Sequence, residues 1–208
     1  ESPLYEEMTA TDYLEFFADL YDVPGDVAAE RIDEALTRLD LEHRERRIGD
    51  MSKGMKRKVA IARSLVNDPD VLIYDEPASG LDPLTTNYII EFTRELADEG
   101  KTIVFSAHNL YHVETACDRV AIMRDGAIVA RGTIAEIRDE YGDVEYHVFT
   151  SVEVPDATRV DGRYRTVVPE MDAVESVREA AAERGGEVLD IRTREPSLED
   201  VFLSMAEA

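Results

Sequence analysis

Asp75 and Glu76 stand side by side at the end of the apolar run Val71-Leu72-Ile73-Tyr74, and the string continues Pro77-Ala78-Ser79-Gly80-Leu81-Asp82-Pro83. The run is too short for a helix and is flanked by turn residues, which predicts a buried strand ending in two carboxylates. Sheets of the α/β type gather ligands outside the carboxyl ends of their strands. In that place Asp75 suits Mg²⁺, an ion that keeps much of its water and takes one or two carboxylates beside phosphate oxygens. Glu76 suits the orientation or deprotonation of an attacking water. A bare Asp-Glu pair also fits an ordinary strand running into an acidic turn, and only the longer string separates the two.

Two further segments carry chemistry. Met51-Ser52-Lys53-Gly54-Met55 precedes an apolar-periodic stretch, so Ser52 and the amides of Lys53 and Gly54 fall at a helix N-terminus, where the dipole favours an anion. Lys53, Lys56, Arg57 and Lys58 concentrate positive charge there, which a solvated basic helix face would do as well. His108 follows the apolar run Thr102–Ser106, and a histidine at a strand's carboxyl end can donate to a phosphate and hold Glu76 and water in line. Taken singly, a histidine there also fits a plain surface residue. His108 with His112 makes a poor metal pair, because the two fall on different elements with no third ligand nearby.

The elements that must position these groups are legible from period and punctuation. Thr9 with Asp12 predicts a capped helix carrying Tyr13, Phe16, Phe17 and Leu20, and Pro24-Gly25 ends it. A second helix presents Ile32, Ala35, Leu36 and Leu39, and a third runs from Gly54 to Asn67-Asp68-Pro69. A helix from Pro83 to Glu99 separates two buried strands at 71–74 and 102–106. After a further short helix, Asp125-Gly126 predicts a hairpin between 119–123 and 127–130. Strands alternating with helices predict a parallel α/β sheet, here with an antiparallel edge. Thr133 with Glu136 caps another helix. A small α/β unit follows: strands at 144–150 and 187–193, a helix at 171–184, and a last helix capped by Ser197 and Asp200.

The chain has 208 residues, enough for one sizeable domain with an appendage, and its 44% hydrophobic content supports a packed core. No apolar run approaches the roughly 18 residues that span a bilayer. Residues 1–7 show no signal-peptide pattern, and the single Cys117 cannot form an internal disulfide, which fits a reducing cytosol. The 46 acidic against 23 basic residues leave a net charge of −23, so nucleic acid is not an expected partner. The acids are dispersed, not clustered, which fits a protein kept soluble in high salt better than a docking face for a basic partner.

The string 72–83 resembles the Walker B and D-loop of ABC ATPases, and the neighbouring segments fall in that family's order. Met51-Ser52-Lys53-Gly54-Met55 stands at the place of the LSGGQ signature, with Lys53 for its first glycine and Met55 for its glutamine. The run Ser-Lys-Gly-Met-Lys resembles the ABC-2-type exporter variant. Ile103–His108 resembles the switch-histidine loop, and Pro196–Phe202 the tail of exporter-type subunits. The resemblance implies a partial P-loop NTPase core with a helical signature subdomain (1–66), the C-terminal half of the nucleotide-binding core (67–140) and a small α/β accessory domain (141–208). It implies Glu76 and His108 as catalytic residues and Asp75 as Mg²⁺ ligand. Ser52, Lys53, Gly54, Ser79, Gly80 and Asp82 would then contact ATP or the nucleotide sandwich.

The implied partners are a transmembrane permease and a second ATP-binding subunit, with the chain peripheral on the cytoplasmic face of the membrane. The alternatives are a non-transport ABC ATPase or a degenerate regulatory module. No Gly-x-x-x-x-Gly-Lys-Ser/Thr occurs in the 208 residues, and Ser2-Pro3-Leu4-Tyr5 resembles the stretch just after the family's glutamine loop. The expectation is therefore that the chain alone neither binds ATP tightly nor hydrolyses it, and that the phosphate-binding segment precedes it.

Overall fold

Thr9 opens α1 (Ala10–Leu20) through a reciprocal cap: its hydroxyl accepts from the Asp12 N–H at 3.1 Å, and the Asp12 carboxylate accepts from the Thr9 N–H at 3.4 Å. The computed structural model describes residues 4–207, so Ser2 and Pro3 lie outside it. The α2 helix (Gly25–Arg38) turns Ala28, Ile32, Ala35 and Leu36 inward at the helical spacing of one face. A 3₁₀ turn at Ile48–Asp50 then leads through the buried Met51 to α3 (Lys53–Leu65), which buries Val59, Ile61 and Ala62. Tyr13, Leu14, Leu36, Leu39, Ile48 and Val59 are all but inaccessible. Each such side chain contributes about 1.5–3 kcal/mol by leaving water. Arg63 closes the cluster, donating to the Tyr13 hydroxyl at 2.9 Å with its guanidinium 5.1 Å from the Phe17 ring centre.

The chain next forms β1 (Val71–Asp75), α4 (Pro83–Asp98), β2 (Thr102–Ser106) and the short α5 (Leu110–Ala116). The two strands are parallel, in a register from Val71 opposite Thr102 to Asp75 opposite Ser106. They are covered on one face only, which corrects the expectation of fully buried strands. Leu72 is buried and Tyr74 and Ile103 pack against the core, whereas Val71, Ile73 and Val104 are 55%, 78% and 55% exposed.

The chain divides into two compact units, Glu1–Ala116 and Cys117–Ala208. In the second, β3 (Arg119–Arg124) and β4 (Ala127–Thr133) make an antiparallel hairpin. It is a two-stranded sheet of its own, and not the antiparallel edge of the β1–β2 sheet that the sequence predicts. Asp125 and Gly126 both have positive φ, 52° and 79°, as a two-residue turn matched to strand twist requires. Thr133 and Glu136 cap α6 (Ile134–Tyr141) reciprocally.

Beyond α6, β5 (Glu145–Thr150), β6 (Thr158–Val160) and β7 (Arg163–Val168) lead to α7 (Met171–Glu183), β8 (Val188–Arg194) and α8 (Leu198–Glu207). The sheet runs β6-β7-β5-β8 and is antiparallel throughout. Val174, Val177 and Ala181 of α7 pack on Val148 and Val168 to form its core. The β6–β7 hairpin is absent from the sequence expectations, although Asp161-Gly162 carries the same turn signal as Asp125-Gly126, with φ of 48° and 81°.

Candidate functional site

The register of β1 and β2 decides what faces what at the strands' carboxyl ends. It sets Asp75 opposite Ser106, and the serine hydroxyl donates to Asp75 Oδ1 at 2.5 Å while accepting from the Glu76 N–H at 2.9 Å. Ser106 thus ties both carboxylate residues to the neighbouring strand. Sequence reasoning missed it; the signal was the pairing register, which two apolar runs do not by themselves fix. Two residues later the chain delivers His108, whose Nδ1 lies 2.8 Å from Glu76 Oε2. Both partners are open to solvent, with side chains 69% and 40% exposed, so the pair stands where a water molecule can reach it.

Glu76 also has φ of +46°, the one glutamate among the seven described non-glycine residues on that side of the map; the other six are aspartates. Aspartate tolerates this region through local hydrogen bonds, and glutamate does not share that advantage. Residues held so cluster at sites where the surrounding structure dictates the backbone. Here the Ser106 hydroxyl on the Glu76 N–H, and the Ser79 N–H donating to the Glu76 carbonyl at 3.1 Å, supply that constraint.

The chain then turns through Ser79 and Gly80 to Asp82, the cap of α4, whose carboxylate accepts from the Thr85 hydroxyl at 2.6 Å and the Thr85 N–H at 3.0 Å. These bonds from Thr85 hold the Asp82 carboxyl below its ordinary value. Ser52 plays the equivalent part for α3, its hydroxyl accepting from the Met55 N–H at 3.2 Å. The two capped ends adjoin. Gly80 has φ of +68°, and a Cβ there would collide with Lys53 Nζ. A Cβ on Gly54 would come 3.1 Å from the Thr85 methyl.

The structure therefore gathers the predicted residues into two groups, joined by the turn that follows Glu76. Asp75, Glu76 and His108 sit with Ser106 at the strand ends. Lys53, Gly54, Gly80 and Asp82 meet where the N-termini of α3 and α4 converge. His112 lies apart, on α5. Among the described residues no three His, Cys, Asp or Glu side chains converge as a metal cage. A Mg²⁺ ion here would take Asp75 as a single carboxylate, with water and phosphate oxygens completing its shell. Burial pushes the Cys117 thiol up to about 11, which favours its unreactive protonated form.

Comparison with known proteins bears on this arrangement. The family described as ABC transporter matches residues 2–79. The Nod factor export ATP-binding protein I of Rhizobium sp. strain N33 is 34% identical over 211 residues, covering 97% of this chain and 69% of that protein. The chain belongs to the family of ABC transporter ATP-binding proteins. NatA of Bacillus subtilis, an ABC transporter ATP-binding protein, is 39% identical over 138 residues, 66% of this chain and 56% of NatA. A solved ATP-binding subunit of an ABC transporter superposes with a TM-score of 0.60 at 34% identity, covering 67% of this chain and 59% of that one. Against NatA and two further relatives the chain spans 56%, 45% and 52% of their length, about half of the ABC protein in each case.

Proposed function

We propose that this chain supplies the signature, D-loop and catalytic-carboxylate portion of an ATP-hydrolysing subunit that drives a membrane permease in the export direction. The observation that carries the proposal is the Asp75–Ser106–Glu76–His108 arrangement at the ends of two parallel strands. In this reading Glu76 orients and deprotonates the attacking water, and His108 fixes the Glu76 carboxylate while donating toward the transferred phosphate. Asp75 would hold Mg²⁺, which neutralises charge on the phosphate oxygens. Ser52 and the amides of Lys53 and Gly54, at the head of α3, would meet the γ-phosphate of ATP held by a second copy, with Ser79, Gly80 and Asp82 linking the two sites.

By role, residues 1–66 form the signature subdomain, 67–140 the second half of the nucleotide core and 141–208 an accessory domain. Tyr5, Phe16, Leu20 and Tyr21 present exposed apolar surface on and beside α1, and they are the surface offered to the permease; Phe17 is instead partly buried against the core. No described helix is long and apolar enough to cross a membrane, which suits a subunit that sits on the cytoplasmic face. The export direction is supported by the names of relatives that act in Nod factor export and linearmycin resistance.

The test uses the full-length polypeptide carrying this chain, unmodified and with Glu76→Gln, with mass measured by light scattering with and without Mg-ATP. Conversion of the variant from monomer to dimer by ATP, together with loss of turnover, supports the proposal. An unmodified protein with no ATPase activity and no response to ATP sinks it in favour of a degenerate regulatory module.

A further inference from the structure

The β8 strand is an edge. Among the described strands it pairs with β5 alone, so its outer row of N–H and C=O groups has no strand partner there. Along that edge Glu187–Ile191 and the α7 residues Arg178 and Ala182 line an open cleft, in which Leu189 is 50% exposed. An unpaired edge is a ready template for another strand, and charged side chains and bulges restrict which strand it accepts; β8 carries Asp190, Arg192 and Arg194 and bulges at Leu189. The sequence of the edge, Val188-Leu189-Asp190-Ile191-Arg192-Thr193-Arg194, is self-complementary in one register. Antiparallel pairing centred on Ile191 sets Asp190 of one copy opposite Arg192 of the other, twice about the two-fold axis. Centring on Asp190 or Arg192 instead opposes like charges at the axis itself.

We propose that β8 joins two copies of this chain, antiparallel about Ile191, into one continuous eight-stranded sheet. Asp190 and Arg192 project from the face opposite α7, where the two already bond within one chain at 2.8 Å and Arg192 lies 5.2 Å from the Phe149 ring centre. The Arg192 bond holds the Asp190 carboxyl below its ordinary value, so the carboxylate is charged at neutral pH. Association adds the other copy's Arg192 guanidinium to a carboxylate that within one chain already meets Arg192 at 2.8 Å and Arg163 at 3.9 Å. Leu189 is the extra residue where β8 bulges against β5, and its exposed side chain lies just outside the regular pairing, beside the other copy's strand, where it gains cover. Against pairing stand Glu187 and Glu195, which face each other just beyond the strand ends. The net charge of −23 on each copy opposes it too. At about 1 M salt the Debye length is about 3 Å, which removes the long-range repulsion and leaves the contacts at the axis.

The pairing is independent of nucleotide and of the catalytic reading above, so it is tested on the 208-residue chain without ATP, by sedimentation at about 1 M potassium chloride. The expected result is a dimer. Asp190→Arg and Arg192→Asp each place two like-charged pairs across the axis and weaken it about tenfold or more. A one-to-one mixture of the two variants restores both opposite-charge pairs and recovers the dimer. Leu189→Glu, at an exposed position outside the unit's core, gives the same loss without touching Phe149. A chain that stays monomeric at its highest soluble concentration overturns the proposal. So does a dimer that none of the three variants loosens, or a mixture of the charge variants that fails to recover it.

Discussion

Nδ1 of His108 lies 2.8 Å from Oε2 of Glu76, joining the segments that leave two adjacent parallel strands, one residue past β1 and two past β2. Such a contact can hold the carboxylate in one rotamer while leaving its other oxygen for water. If the two side chains act as a unit, their deletions are not additive. In the full-length protein Glu76→Gln and His108→Ala each lower ATP turnover by about 10²- to 10⁴-fold. The double variant turns over no more slowly than Glu76→Gln alone. Steady-state rates on the four proteins decide it, and a multiplicative double variant would mean the histidine works without the glutamate.

Ser106 serves both carboxylate residues, so its removal should be felt in stability and in chemistry. Ser106→Ala strands the Glu76 N–H without its acceptor and costs about 1 kcal/mol in urea unfolding. The same change frees Asp75 and lets the Glu76 backbone relax from its positive φ. Turnover in the full-length protein therefore falls, whereas Ser106→Thr, which keeps a hydroxyl, retains most of both. Equal loss in the threonine variant would show that the space at this position matters, and not the hydrogen bonds.

Gly80 faces two demands that can be separated. Its φ of +68° disfavours any side chain, and a Cβ would strike Lys53 Nζ. The second conflict is with the far end of a flexible side chain and relaxes cheaply. Gly80→Ala therefore loses about 1 kcal/mol from the backbone term. Adding Lys53→Ala restores little of it. Full recovery in the double variant, by thermal unfolding, would instead assign the cost to the lysine.

How far the sequence carried this arrangement depended on the range of each signal. Caps and two-residue turns are local, so Thr9–Asp12, Thr133–Glu136 and Asp125-Gly126 could be read directly and stand as expected. Asp161-Gly162 was equally local, but its flanks, Thr158–Val160 and Arg163–Val168, are crowded with arginines that hide the strand period. Asp75, Glu76 and His108 were legible as chemistry at strand ends. The tie of Asp75 and Glu76 to Ser106 was not, because it rests on a register between strands some thirty residues apart in sequence. The one-sided burial of Val71, Ile73 and Val104 was hidden for a further reason: an apolar run records what a strand is built to be covered by, wherever that cover lies.

Asp68 offers a pH test free of the global charge. Lys101, at 2.7 Å, and Arg31, at 3.4 Å, hold its carboxyl below the ordinary value of 3.8. A depressed folded-state value contributes stability that is fully present above the unfolded value and is lost as pH falls through the folded one. Asp68→Asn keeps the side-chain shape and tolerates the residue's φ of +49°. The unmodified chain is therefore the more stable of the two at neutral pH. The gap narrows as pH drops below the ordinary carboxylate range and closes under the folded value, as paired urea titrations would record. A gap constant into acid would mean the carboxylate's charge contributes nothing.

The net charge of −23 makes a prediction of the opposite scope, because it concerns no single contact. Self-repulsion among dispersed carboxylates destabilises the compact state, and it reaches about 8 Å at physiological ionic strength but about 3 Å at 1 M. Potassium chloride should therefore raise the urea midpoint steeply below about 1 M and weakly above it, once the Debye length is shorter than the spacing of surface charges. Glu15, Glu30 and Glu91 are exposed carboxylates on α1, α2 and α4. Changing all three to Gln stabilises the chain at low salt, and the advantage vanishes as salt approaches about 1 M. If salt acted instead by exclusion from apolar surface, the triple variant would gain as much from salt as the unmodified chain, and sucrose would stabilise both alike. Parallel curves for the two proteins would therefore reject charge screening as the reason for this composition, and converging curves would tie it to a high-salt setting.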